Sequence, residues 1–242
     1  MLAGRFHVLD WAAQAEGRVQ RAEWQAWAGA AVPDSAPPPA RPGLPMMLRR
    51  RLTPLGQAAI ASAYQAGADA GMHYVFASRH GEFRRSLRLL ETLAQGEGLS
   101  PADFSLSVHN ALAGLLSIAT GARAGHTAIA AGADSFAAGL LEATALLAAQ
   151  PAARVLLVYF DEDLPPPFAG LVPEPPAGAL ALAVLLGTAG GEPVAFSTAA
   201  EPAATARPTT AQAEDFLHFL ASGQQAGSAA GGRMRLEWRR AA

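Results

Sequence analysis
The chain has 242 residues, 51% of them apolar and 16% charged, with a formal charge of −2. That is enough apolar chain for a sizeable core, and it lacks the basic stripe that nucleic-acid binding requires. Cysteine is absent, which excludes disulfides, thiolate metal sites and a cysteine nucleophile.

The opening MLAGRFHVLDW has no basic stretch leading into an apolar run, so no signal peptide is expected. The long weakly polar stretch from Ala111 to Gln150 is interrupted by Arg123, His126, Asp134 and Glu142. No membrane span is expected, and a cytoplasmic protein is the expectation. Trp24 and Trp27 are spaced to share one helical face as an apolar anchor. Residues 31–45 are proline-rich and predict an extended connector inside one domain spanning 1–242. Arg49, Arg50 and Arg51 follow; they read as a solvated positive patch, or as one facing an acidic partner.

Thr53-Pro54 is a helix start, a capping hydroxyl followed by proline, for a helix to about Ala66. Met72–Ser78 predicts a buried strand. The next helix begins near Gly81, with Phe83, Leu87, Leu90 and Ala94 on one apolar face. Ser100-Pro101 is a second cap-plus-proline pair. Ser107–Ala119 predicts a largely buried helix, His126–Ala131 a short strand, and Asp134 or Ser135 the cap of a helix to about Ala149. Arg154–Phe160 has no polar alternation, as in a central strand covered on both faces. A proline-rich loop runs from Asp161 to Pro176. Ala179–Leu186 and Pro193–Thr198 predict a hairpin. A helix over Ala211–Ala221 and an edge strand over Arg233–Trp238 complete the pattern. Alternating strands and helices indicate an α/β sheet covered on both faces.

Few residues carry independent chemistry. Asp161, Glu162 and Asp163 follow a central strand, where α/β sheets bind ligands; a solvated loop with capping duties is weighed above a metal or acid–base role. Arg79 and His80, between Ser78 and Gly81, are candidates for an anion contact at a helix start, against simple turn structure. Gly132-Ala133-Asp134-Ser135 lacks the flanking glycines of a hydrolase elbow. His109 on an apolar stretch reads as a satisfied interior histidine. No metal-site or phosphate-loop motif occurs, and neither metal nor cofactor is expected.

The central third carries a resemblance. Ser107-Val108-His109-Asn110, Ala113-Gly114, Ser117-Ile118, Gly121 and Arg123, followed by a short strand and a long helix, resemble the β-ketoacyl synthases of the thiolase fold. LRRRLTPLG (48–56), FASRHGEFRRSLRLLETLA (76–94), LSPADFSLSVHNALAGLLSIATG (99–121) and VLLVYFDEDLP (155–165) together resemble the short ketosynthase-like proteins of aryl-polyene gene clusters, described as chain-length factors. The resemblance implies a thiolase-type half, a five-stranded mixed sheet with helices on both faces. It puts the nucleophile at Ala133, or at Gly132 with a one-residue slip, and neither can attack a thioester. None of the six histidines matches the family's catalytic pair, which the second half of active synthases supplies.

The implied function is a non-catalytic subunit in heterodimer with an active β-ketoacyl synthase, closing the far end of its acyl tunnel. The segment implied at the interface and tunnel end comprises Phe104, Leu106, Val108, Asn110, Ala111, Leu112 and Leu115, with burial against the chain's own sheet as the rival. An acyl carrier protein is a possible second partner, and whether the chain self-associates when alone is left open by the sequence. Two alternatives stay open: an acyltransferase or thioesterase on the same scaffold, and a free-standing carrier-protein binding module.

Overall fold
The computed structural model describes residues 2–30, 45–172, 175–201 and 207–241. In chain order the elements are β1 (Ala3–Ala15), α1 (Arg21–Trp27), α2 (Met46–Arg49), α3 (Pro54–Gln65), β2 (Met72–Ala77), α4 (Phe83–Ala94), α5 (Pro101–Ser105), α6 (Ala111–Thr120), β3 (His126–Ile129), α7 (Ser135–Ala149), β4 (Arg154–Asp161), α8 (Pro166–Ala169), β5 (Leu180–Gly187), β6 (Glu192–Ala200), α9 (Ala211–Ser222), β7 (Ala226–Ala230) and β8 (Met234–Arg240). The strands form one mixed sheet in the order β3-β2-β4-β5-β1-β6-β8-β7. β2 pairs in parallel with β3 and β4, and every other pairing is antiparallel.

Local chemistry explains the starts. The Thr53 hydroxyl accepts the Gly56 N–H at 3.0 Å and Ser100 accepts that of Asp103 at 3.2 Å, each beside a proline that pre-sets the first turn. β2 and β4 are buried on both faces, and successive residues feed opposite cores. Val75 and Leu157 point to one core with Phe136 and Leu140 of α7 and Phe216 and Leu217 of α9. Tyr74, Phe76, Leu156 and Val158 point to the other, with Leu55 and Ile60 of α3 and Leu112 and Leu116 of α6. Gly139 lets α7 lie close to the sheet: a Cβ there would stand 2.7 Å from that of Ala77.

Three expectations are corrected. The sheet has eight strands, not five. β1 went unread because Trp11 belongs to a strand in which Phe6 and Val8 alternate inward, broken by a bulge between Val8 and Asp10. β7, with sequence AGSAA, has no β-branched or aromatic residue to announce it. β5 and β6 are not a hairpin: β1 lies between them and pairs with both. β8 is not an edge strand, because β7 covers it.

Smaller differences follow. Residues 107–110 form a turn, and α6 begins at Ala111. Trp24 is buried as the anchor of α1, its indole N–H donating to Ala13 O at 2.9 Å. On α4 the expected apolar face is only partly covered: Leu90 is exposed, and the one buried residue is Arg85. The connector over 31–45 falls, except for Pro45, outside the described residues. Among the described residues no helix is long and apolar enough to cross a membrane.

Candidate functional site
The turn between β3 and α7 stands at the C-terminal edge of the sheet. Gly132 has φ +62°, a conformation that disfavours any Cβ; Ala133 beside it carries a side chain without that penalty. A single turn of 3₁₀ helix, Gly132–Asp134, leads into α7. Asp134 is buried, and its carboxylate accepts N–H groups from Gly232 at 3.0 Å and Arg233 at 2.9 Å. The amide of Gln212 braces the same turn, donating to Asp134 at 3.4 Å and accepting from Ala137 N–H at 3.3 Å. The Ser135 hydroxyl accepts from Ala131 N–H at 3.0 Å and donates to Gly132 O at 2.7 Å. The polar groups of this turn are committed to holding it, and position 133 offers only a methyl group.

The neighbouring acidic cluster divides into three separate roles. Asp161, at the end of β4, is fully buried and not on a solvated loop. Its carboxylate accepts the Ser78 hydroxyl at 3.1 Å and the backbone N–H groups of Arg79 at 2.7 Å and His80 at 3.0 Å. Burial pushes its pKa up to about 6, against the lowering effect of those hydrogen bonds. Glu162 pairs with Arg84 at 2.7 Å. Asp163 accepts the N–H groups of Ala177 at 2.9 Å and Gly178 at 2.7 Å. No cluster among the described residues could hold a metal ion.

The backbone N–H groups of Arg79 and His80, the residues expected to meet an anion, donate to Asp161 of the same chain. Both residues also line a small cavity of about 150 Å³ with Leu164 and Ala169. Three histidines are engaged elsewhere: His109 bonds Ile129 O at 3.0 Å, His73 bonds Ala124 O at 3.1 Å, and His7 bonds Gly190 O at 2.8 Å.

The segment expected at an interface splits in two. Leu112 and Leu115 are buried in the chain's own core and are not available to a partner. Phe104, 62% exposed, and Val108 point outward, as does Asn110, while Leu106 and Ala111 are half-buried. Ile118 on α6 and Leu90 and Leu93 on α4 are also exposed. Sequence reasoning missed those three, since an apolar helical stripe does not say whether its cover comes from the same chain. Beside α6, β3 has only β2 as a strand neighbour, so one edge of the sheet is open among the described residues.

The family model described as "Beta-ketoacyl synthase, N-terminal domain" matches residues 24–239. Curated proteins gave no match. Among solved structures, a chain of the ketosynthase ApeO in complex with its chain length factor ApeC, from Xenorhabdus doucetiae, is 32% identical. The match covers 97% of this chain and 99% of that one, with TM-score 0.80. The ishigamide ketosynthase/chain length factor matches at 17% identity and TM-score 0.62, over 81% of this chain and 68% of that one. A ketosynthase from module 1 of the bacillaene synthase of Bacillus amyloliquefaciens matches at 14% identity and TM-score 0.58, over 91% of this chain and 52% of that one. The last two likenesses speak for the fold alone. With its two cores on either side of a mixed sheet and the strand–turn–helix at Ala133, the chain belongs to the β-ketoacyl synthase N-terminal domain family and has a thiolase-like fold.

Proposed function
We propose that this chain is a ketosynthase-like subunit that performs no condensation, pairs with an active β-ketoacyl synthase and closes the far end of that partner's acyl tunnel. One observation carries the reading. The strand–turn–helix where the family keeps its nucleophile is built here, yet residue 133 is alanine and the chain contains no cysteine. Nucleophilic catalysis on a thioester needs an activated thiol or its equivalent, and the one hydroxyl in the turn, Ser135, is spent on the backbone.

The similarity to a chain of a ketosynthase–chain length factor complex, along the full length of both chains, supports the pairing. So does the surface. Phe104, Val108 and Ile118 are large apolar side chains left outside either core, close in sequence to an open sheet edge at β3. Covering such groups is what a partner gains from association. The product of the pair is an acyl chain of aryl-polyene type. An acyl carrier protein is a second partner, for which the exposed Arg49, Arg50 and Arg51 offer positive charge. The whole chain acts as one domain.

The test is co-expression with a β-ketoacyl synthase of the same kind, followed by co-purification and product analysis. The chain alone, given acyl and malonyl carrier proteins, should yield no β-ketoacyl product by mass spectrometry, and the pair should. Condensation by the chain alone at the rate of an ordinary synthase overturns the reading.

A further inference from the structure
Arg85 is a guanidinium only 4% exposed, on a helix that leaves Leu90 and Leu93 exposed. Its side chain donates to three segments. One bond goes to Asp103 of α5 at 2.6 Å, one to Arg51 O at 2.5 Å, and two long ones to the buried carboxylate of Glu82 at 3.4 Å. Glu82 in turn accepts the hydroxyl of Thr53, the cap of α3. One side chain thus ties the approach to α3, the start of α4 and the whole of α5 into one unit.

That unit carries much of the chain's exposed apolar surface. Met46 and Met47 lie on α2, Leu90 and Leu93 on α4, and Phe104 on α5. α5 has five residues and no buried one, too short to hold itself by helix propensity. Within the helix its attachments are polar: the Ser100 cap fixes its first turn, and the Arg85–Asp103 pair fixes it to α4, while Leu106 just beyond it packs against the core. Phe104 is the next residue after Asp103.

We infer that Arg85 is a positioning residue for the partner-facing surface, acting through Asp103 to set where Phe104 stands and so where the partner's acyl tunnel ends. The inference rests on the proposed pairing with an active synthase. A planar guanidinium suits the task, because its five donors have fixed directions and cannot be neutralised at working pH. Removing Arg85 would leave the buried Glu82 carboxylate without its cation, which is costly, whereas Asp103 is half exposed and its loss leaves Arg85 bonded to Glu82 and Arg51 O. Asp103→Ala is therefore the variant that loosens α5 and leaves the rest folded.

Hydrogen exchange on the whole chain measures the anchor without the partner. Asp103→Ala should speed exchange of the amides at 104–107 by tenfold or more, leave β4 and α7 unchanged, and be reversed in large part by Asp103→Glu. Unchanged exchange at 104–107 overturns the inference. In the pair with the synthase, Asp103→Ala should broaden the product masses as Phe104→Ala does, with co-purification retained. Faster exchange with an unbroadened product, while Phe104→Ala broadens it, refutes the positioning role. If Phe104→Ala itself leaves the product unchanged, the tunnel-closing reading fails and takes this inference with it.

Discussion

The hydroxyl of Ser78 donates to the buried carboxylate of Asp161 at 3.1 Å, joining the C-terminal ends of β2 and β4 across 83 residues of sequence. These strands are parallel neighbours, so their ends meet at one edge of the sheet. Ser78 also accepts the Gly81 N–H at 2.6 Å, which folds the loop after β2 over the carboxylate. Asp161 thereby takes the place of water for two half-buried backbone N–H groups.

This arrangement predicts a pH dependence of stability. Burial raises the Asp161 pKa from 3.8 to about 6. A carboxyl with a raised folded-state pKa holds its proton more tightly in the folded chain than in the unfolded one. Its stabilising contribution is therefore complete below pH 3.8 and is lost as pH rises through about 6. The difference is on the order of 3 kcal/mol, at about 1.4 kcal/mol per unit. Urea unfolding of the native chain and of Asp161→Asn between pH 4 and 7 measures it. The native chain should lose stability relative to the variant as pH rises. Parallel pH profiles would show that Asp161 does not titrate in this range.

A second prediction concerns Ala133→Cys. Restoring a thiol should not create a synthase, because condensation needs a base and an oxyanion site as well as a nucleophile. The thiol itself should be unexceptional. A helix N-terminus lowers a thiol pKa, but here the Asp134 carboxylate stands next in sequence and opposes it. Iodoacetamide alkylation against pH should give a midpoint at or above the ordinary value of ~8.5. A midpoint below ~7 would mean that the helix terminus prevails, and β-ketoacyl product from this variant would refute the catalytic reading.

The parts of this fold that sequence discloses are those whose signal is local. β4 is an unbroken apolar run, and α3 and α5 announce themselves by hydroxyl–proline pairs. What escaped depends on distant residues. β1 occupies the gap between β5 and β6, and nothing in its own residues says that two strands from the far end of the sequence, beginning at Leu180 and Glu192, flank it. Asp161 reads as a loop acid until the turn at 78–81 is known to close over it. α4 shows its amphipathic face plainly, but whether that face meets the same chain or another is a tertiary matter. Arg85, on the polar side of that helix, looks like a solvated charge and is buried. At the nucleophile position the reverse holds: a missing cysteine is legible in sequence alone.

The last prediction separates the outward part of the 104–118 segment from its inward part. Ala111 begins α6 half-buried, beside the exposed Asn110 and Val108, whereas Leu112 next to it lies in the chain's own core. Ala111→Trp should leave the isolated chain folded, with stability changed by about 0.5 kcal/mol or less, as for most substitutions outside the core. It should weaken the pair with the synthase, because forcing a large ring into a close contact costs about 1–3 kcal/mol, or roughly 5- to 150-fold in Kd. Leu112→Ala should behave oppositely, destabilising the chain itself by about 2–5 kcal/mol through the cavity it leaves. Urea unfolding of each chain alone and titration of each against the purified synthase read the two effects apart. Unaltered affinity for Ala111→Trp would remove the start of α6 from the interface and confine the contact to α4, α5 and the open edge at β3.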